Sequence, residues 1–386
     1  MQRFVSWLST QSHLLQIPIV LVAFAVLIGL IVLAIEVLPR PGTGYSYLRF
    51  GIAVAVPVAI FALLGLNTHV WWLYLVAAAL GAVLYLLDRR SQAQGRGAGR
   101  ILQLMFFCTP GFALLIVGVL YPTIRTIISA FFNKDGSQFV GLANFAWVFQ
   151  ENSGTGGLTA LINTIVWVVF APVIATAIGL LYAVWVDRAR GEKVLKSLVF
   201  MPMAISLVGA SVIFKFLYDY RQGNQLGLLN QIVIWLGGTP VNWLNVHPLN
   251  VALLIIILIW SQTGFAMVIL SAAIKGVPEE LNEAAQLDGA NGFQRFMNVT
   301  IPSIKPTIIV VWVTISISAL KVYDIVATTT GGYQGTTVLG YEMVKQFQFL
   351  PPQSGHSAAL AVILFVLVTP FIVYNTRNLR RERSGA

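Results

Sequence analysis

The chain has 386 residues, of which 57% are hydrophobic and 10% charged, with a formal net charge of +10. Its mean hydropathy is +0.80, whereas an ordinary soluble domain carries roughly 25% charged residues. Such a chain lacks the polar surface that a soluble enzyme or a DNA-binding protein needs, and both classes are excluded.

Apolar residues come in uncharged runs at 17–35, 70–87, 161–186 and 251–274, each long enough to cross a hydrocarbon core roughly 30 Å thick. The pattern predicts an all-α polytopic membrane protein with nine spans. Three are N-terminal, at about 17–37, 48–66 and 70–87. The first is too long for a signal-peptide core and lacks a clear small-residue cleavage site, so it is read as a span. A linker rich in Gly, Arg, Gln and Ser at 89–100 divides 1–88 from 101–386. Its Gly95, Gly97 and Gly99 fall short of a dinucleotide fingerprint and suit a flexible connection. Six further spans are expected near 101–121, 161–186, 194–217, 249–273, 304–320 and 358–376. The apolar stretch 226–236 is too short to cross and is expected to lie in the interface or fold back.

The basic residues orient these spans, because Lys and Arg are retained on the cytoplasmic side. One side of the six-span set carries Arg89, Arg90, Arg96, Arg100, Arg188, Arg190, Lys193, Lys196, Lys275, Arg295, Lys305, Arg377, Arg380, Arg381 and Arg383. The other side, or the adjoining span ends, carries only Arg125, Lys134, Lys215, Arg221, Lys321 and Lys345. The loops beginning near 88, 187 and 274, together with the C-terminus, are therefore expected in the cytoplasm. Three crossing N-terminal segments would put the N-terminus outside. The tight turn at Asn67, Thr68 and His69 would reverse that if one of them failed to cross. The positive charge reads as topology, and no nucleic-acid partner is expected.

Residues that would carry chemistry are scarce. Cys108 is the sole cysteine, so no intrachain disulfide framework can form. His13, His69, His247 and His356 show no metal-ligand spacing, and no P-loop occurs. No catalytic, metal or cofactor site is expected in this chain.

The most informative segment is the expected cytoplasmic loop after Lys275. Pro278 suits the start of a helix, and Glu279 and Glu280 suit its positive end. Leu281, Ala284, Ala285 and Asp288 follow at helical spacing, and Gly289 permits a turn that a Cβ would resist. A second short helix over 292–297 would lead to Pro302 and back into the membrane. The small residues Ala284, Ala285 and Gly289 would let another protein's groove approach the backbone, and Glu283 offers a charged contact. A plain surface helix between two spans is the competing reading.

The spacing Glu283-Ala284-Ala285, then Gly289, then Ile301-Pro302 resembles the EAA coupling motif in membrane subunits of binding-protein-dependent ABC importers. The resemblance covers about 101–384. FVGLANF at 139–145, LINT at 161–164 and GLLN at 227–230 are similar to segments of that family. WSQTGF at 260–265, ALKVYD at 319–324 and TGG at 330–332 are similar to segments of the sugar-type permeases within it, which import maltose, other oligosaccharides and glycerol phosphate. Tyr333-Gln334 departs from the Gly-Pro common there, and the loop 133–157 is too short for the large external domain of some maltose permeases.

The resemblance implies a six-span type I ABC importer permease core, plus about three extra N-terminal transmembrane helices. It implies a coupling helix at about 278–289, in which Glu283, Ala284, Ala285, Asp288 and Gly289 dock an ATPase subunit. It also implies a second homologous permease, an ATPase dimer that binds the ATP and Mg, an external substrate-binding protein and a bacterial or archaeal plasma-membrane location. This chain would not itself be an enzyme.

Polar residues at membrane depth are costly unless they face a cavity or a partner helix. Trp260, Ser261, Gln262 and Thr263 form one such cluster; Thr314, Ser316 and Ser318, with Lys321 and Tyr323 beyond them, form another. Trp260, Gln262, Thr263, Ser316, Ser318, Lys321 and Tyr323 are the candidate sugar-binding residues. Against this stands the tendency of Ser and Thr to bond their own helix carbonyls. Lys321 and Asp324, three apart, are expected to pair with each other. An ion-coupled carrier is the first rival function. It usually places carboxylates within spans, and here the acidic residues lie almost wholly in loops or at span ends, with Glu36 nearest to an exception. A membrane-embedded glycosyltransferase is the second, but no catalytic carboxylate or metal cluster stands at usable spacing.

Overall fold

The computed structural model describes residues 115–150, 156–187, 189–220, 226–349 and 353–384. The expected spans at 17–37, 48–66 and 70–87, the linker 89–100 and the expected span 101–121 as far as residue 114 lie outside the described residues. Two units divide the chain, residues 1–124 and 125–386, and the second holds the helical bundle.

The elements in chain order are α1 (Tyr121–Ser129), α2 (Ala143–Val148), α3 (Gly157–Val186), α4 (Glu192–Phe200), α5 (Leu207–Leu217) and α6 (Leu228–Trp235). After these come α7 (Leu249–Lys275), α8 (Glu279–Leu287), α9 (Gly292–Arg295), α10 (Ile301–Leu320), α11 (Asp324–Thr329), α12 (Leu339–Gln348) and α13 (Ser354–Ser384). Among the described residues there are two isolated β-bridges and no strand. Among the described residues four helices are long and apolar enough to cross a membrane: α3, α7, the continuous run Gly292–Leu320 and Ser354–Tyr374 of α13.

The core lies where α3 crosses α7, with Trp167, Leu254, Ile257, Leu258, Met267 and Leu270 essentially inaccessible and Ile315 of α10 packed with them. Between lipid-solvated helices the hydrophobic effect gives little net drive, so close packing of small residues has to supply the attraction. Helix α3 provides a stripe for this: Ala171, Ala175, Gly179 and Ala183 recur every fourth residue and all are buried. Its other face, including Ile162, Ile165, Val169, Phe170 and Val173, is exposed, as suits contact with acyl chains.

Two expectations need correction. The span expected at 194–217 is not one helix: Glu192–Ala204 and Leu207–Leu217 meet at 97°. Pro202 sits in a tight Met201–Ala204 turn, Ile205 is extended, and Ser206 starts the next helix by accepting a hydrogen bond from Gly209 N at 3.1 Å. A proline without an N–H followed by a good N-cap residue ends one helix and begins another. Conversely, the expected break between a short helix at 292–297 and the following span is absent. The chain stays helical from Gly292 to Leu320 through a wide π turn at Phe296–Thr300, just before Pro302, which has no N–H for a regular turn.

At one end of the bundle, buried asparagines tie the connecting loops to the helices. Asn163 Nδ2 donates to Gly335 O (2.7 Å) and Thr337 O (2.8 Å), and Asn250 Nδ2 donates to Gln334 O (2.9 Å). Asn144 donates to Ala130 O (2.9 Å) and Phe132 O (2.8 Å). Asn230 donates to Asp219 O and Val241 O and accepts from Val241 N and Trp243 Nε1, all at 2.9–3.1 Å. The asparagines of the FVGLANF, LINT and GLLN segments are thus loop anchors. Glu342 on α12, with its side chain 1% exposed, accepts from Thr337 Oγ1 and Gln346 Nε2, with Lys345 Nζ at 3.6 Å. Asn163→Leu should therefore destabilise the fold by about 2–4 kcal/mol, because one buried and one half-buried carbonyl lose their donor. Thermal unfolding of the purified protein in detergent checks this, and an unchanged midpoint would refute the anchor role.

Candidate functional site

The opposite end of the bundle carries an exposed helical hairpin. Pro278, with extended backbone, precedes α8, and Glu279 and Glu280 occupy its first turn, where negative charge offsets the unpaired N–H groups. At the other end Gly289 has φ +82°, Gly289 N donates to Gln286 O (3.0 Å), and Ala290 N donates to Ala285 O (3.0 Å). That left-handed cap closes the last carbonyls of α8. Helix α9 then starts on a reciprocal cap between Asn291 and Gln294, and Arg295 reaches back to Gln286 Oε1 at 2.8 Å. The hairpin is braced without burying its surface.

Glu283, Ala284, Asp288 and Gly289 are exposed and Ala285 is half-buried. Around them stand apolar side chains that a solvated loop would not display: Leu287 is 89% exposed and Phe293 72%, with Leu281 and Met297 also exposed. No atom lies within 4 Å of where a Cβ on Gly289 would sit, so this face is open. Sequence spacing singles out the small and acidic residues of this face but not Leu287 and Phe293, whose exposure only the folded hairpin reveals.

Within the bundle the structure separates the polar candidates. Thr263 Oγ1 donates to Ile259 O (2.7 Å), Thr314 to Val310 O (2.8 Å), Ser316 to Trp312 O (2.8 Å) and Ser318 to Thr314 O (3.2 Å). These hydroxyls are committed to their own helices, and Ser316 is fully buried. Gln262 differs: it is half-buried, and among the described residues its amide has no hydrogen-bond partner. Trp260 presents its ring edge-on to Phe214 of α5 at 5.3 Å. Lys321 is exposed and forms no ion pair with Asp324 among the described residues. Tyr323 is half-buried and stacks on Tyr341 at 5.9 Å. Burial first, then Tyr333, Glu342 and Tyr323, push the Tyr341 phenol above its ordinary range.

A cleft of about 630 Å³ lies between α3, α10 and α13, lined among others by Val173, Leu180, Trp312 and Phe371. Its lining is almost entirely apolar and contains none of the candidate sugar-binding residues, so it does not suit a polyhydroxylated ligand. No group of three or more His, Cys, Asp or Glu that could hold a metal occurs among the described residues.

A charged cluster that sequence spacing does not single out joins the ends of α3, α4 and α7, beside the hairpin. Lys196 Nζ lies 2.7 Å from both Asp187 Oδ1 and Glu192 Oε1. Ser271 Oγ donates to Asp187 Oδ1 at 2.7 Å. Lys275, the last residue of α7, bonds Glu192 and stands 3.8 Å from Asp187. Only the i,i+4 spacing of Glu192 and Lys196 is legible in the sequence.

Comparison with known proteins gives this arrangement a context. A family model described as the inner membrane component of binding-protein-dependent transport systems matches residues 175–383. The alpha-glucoside transport system permease protein AglF of Rhizobium meliloti is 43% identical over 281 residues, 72% of this chain and 83% of the relative. The osmoprotective compounds uptake permease protein GgtC of Synechocystis is 44% identical over 278 residues, 72% of this chain and 98% of the relative. A crystal structure of a bacterial ABC transporter involved in import of the acidic polysaccharide alginate superposes with a TM-score of 0.62 at 21% identity. It covers 73% of this chain and 96% of its own, and shares the type I ABC permease fold.

Proposed function

Since the chain belongs to the family of inner membrane components of binding-protein-dependent transport systems, we propose that it is a permease subunit of an ATP-driven importer for oligosaccharide-type sugars. The observation that carries the reading is the exposed, capped hairpin with its uncovered Leu287 and Phe293. A surface of that kind on a membrane protein serves a partner better than it serves solvent. The names of the relatives, an alpha-glucoside permease and a trehalose/maltose permease of Thermococcus litoralis at 33% identity, support the sugar class.

In this reading the hairpin lies in the cytoplasm, the C-terminus with it, in the plasma membrane of a bacterium or archaeon. One ATPase subunit docks on Glu283, Ala284, Ala285, Asp288 and Gly289, and a second on the matching loop of a homologous permease. The ATPases hold the ATP and Mg, and this chain needs no cofactor of its own. An external binding protein delivers the sugar to the loops at the far end, where buried asparagines hold the docking surface in shape. Residues 101–386 form the permease domain, while 1–88 form additional spans reached through the linker 89–100. Deleting residues 1–95 tests the added module: assembly and transport that persist would remove any essential role for it, whereas lost assembly would assign it to stabilising the complex.

Gln262 is the polar side chain within the spans best placed to meet sugar hydroxyls, since its own helix leaves its amide unpaired. Trp260, two residues earlier on the same helix and packed edge-on to Phe214, is the candidate for the C–H side of a ring. Lys321, Tyr323, Thr263, Ser316 and Ser318 are secondary, the hydroxyls being already committed. Gln262→Leu should raise KM for the sugar about tenfold, the loss of one hydrogen bond of roughly 1.4 kcal/mol, with assembly unchanged.

The decisive experiment is purification of the complex through this chain, identification of the co-purifying subunits, and binding measurements on the external protein against a sugar panel. An ATPase and a sugar-binding protein are the expected companions. Uptake that survives ATP depletion but collapses with the proton gradient would overturn the proposal.

A further inference from the structure

Resting on that importer reading, we infer that Asp187, Glu192, Lys196 and Lys275 form a positioning cluster that makes the hairpin and the first half of the broken span move as one body. Lys275 is separated from Glu279, the first residue of α8, by only Gly276, Val277 and Pro278. A displacement of α8 therefore pulls on the end of α7 through a connection three residues long. The Lys275 ammonium binds Glu192 in the first turn of α4. Lys196, one turn along α4, binds both Glu192 and Asp187, and Asp187 also accepts from Ser271 of α7.

The shape of α4 gives this linkage a consequence. Helix α4 meets α5 at 97° across the Ile205 and Ser206 hinge, so it can swing without dragging α5 through the same arc. A regular helix across that point would transmit the motion stiffly. The charged cluster sits at the end of α4 far from the hinge, where a given force has the greatest leverage. Asp187 is 11% exposed at its side chain, and Lys196 22%, so that pair is partly shielded from salt and strengthened relative to surface pairs. The Lys275–Glu192 pair is more open, at 50% and 32%, and acts with it only as part of the network. Side chains in such a network couple the elements that carry them, because separating one leaves a partly buried charge without its partner.

The test uses the assembled complex with its native subunits, carrying Cys108→Ser and spin labels at Lys193→Cys on α4 and Glu280→Cys on α8. Both label positions are exposed and outside the cluster and the docking set. The distance between the labels is read without nucleotide and with AMP-PNP and Mg. With Lys275 intact, or as Lys275→Arg, the distance distribution should stay the same in both states. With Lys275→Met, which keeps the stem and removes the charge, AMP-PNP should shift it. Glu192→Gln, which removes the same contact from α4, should reproduce the shift and serves if the Met variant assembles poorly. A shift already present with Lys275 intact, or none in either variant, would overturn the inference alone. A purified complex without an ATPase would overturn the importer reading and this inference with it.

Discussion

Gly289→Pro is expected to abolish coupling between ATP hydrolysis and uptake while leaving the spans folded. Gly289 has φ +82° and donates its N–H to Gln286 O at 3.0 Å. Proline fixes φ near −65° and has no N–H, so it must undo the cap of α8. The cost is about 3 kcal/mol by analogy with proline in a helix interior. Because the bundle core lies elsewhere, that energy falls on the hairpin and on whatever docks there. Spread over docking, about 3 kcal/mol is on the order of a hundredfold in affinity.

A graded series separates conformation from contact at this position. Gly289→Ala meets no atom within 4 Å, so its penalty is only that of a Cβ in the left-handed region, about 1–2 kcal/mol. It should retain partial transport. Glu283→Lys alters the docking charge without touching the cap and should lose ATPase association with the helix intact. Co-purification of the ATPase and transport in vesicles provide the two readouts. Full activity in both Gly289→Pro and Glu283→Lys would rule out the proposed docking face.

Gly179→Leu is expected to have the largest effect on assembly. Gly179 lies where α3 crosses α7: a Cβ there would sit 2.5 Å from Ala266 Cβ and 2.9 Å from Met267 N. One obstacle is backbone, which cannot rotate out of the way. The two long helices must separate, and the contacts of Trp167, Leu258 and Met267 on either side weaken together. Overpacking costs typically about 1–3 kcal/mol, and this site belongs at the upper end. The stripe continues at Ala175 and Ala183, both fully buried. Ala183→Leu should behave similarly, whereas Val169→Leu, at a residue 50% exposed on the outer face of α3, should be neutral. Size-exclusion profiles and thermal unfolding in detergent distinguish the three.

Several features were legible in the chain because they depend on local chemistry. The helical stretches 161–186, 249–273, 304–320 and 358–376 follow from long apolar runs, and helices stand at all four, the third extended at its start to Gly292. The cap at Gly289 was readable too, since only a residue without Cβ adopts that backbone cheaply. Pro202 and Ser206 carried the signal of a broken helix at 194–217, but the apolar run around them masked it. Hydropathy measures burial in lipid and is blind to the direction of the chain.

The candidate sugar site was legible only as a set of residue types. Which of those groups is already satisfied depends on the helix geometry around each one. The hydroxyls of Thr263, Ser316 and Ser318 found carbonyls one turn back, while Gln262 did not. Glu342 illustrates the same limit. It reads as a loop carboxylate, yet the fold encloses it with Thr337, Gln346 and Lys345.

By itself the amino-acid sequence determined that this chain is membrane-embedded, where α3, α7, α10 and α13 run, and which loop holds the EAA-like spacing. Composition and periodicity suffice for those, because each backbone group in lipid must be bonded within its own segment. Tertiary structure alone decided which small residues form the α3–α7 seam and which asparagines anchor loops. It also brought Asp187, Glu192, Lys196, Ser271 and Lys275 into one cluster. Asp187 and Ser271 are 84 positions apart along the chain, and no local rule pairs residues so distant. Only the close crossing of the helices that carry them brings their side chains within reach.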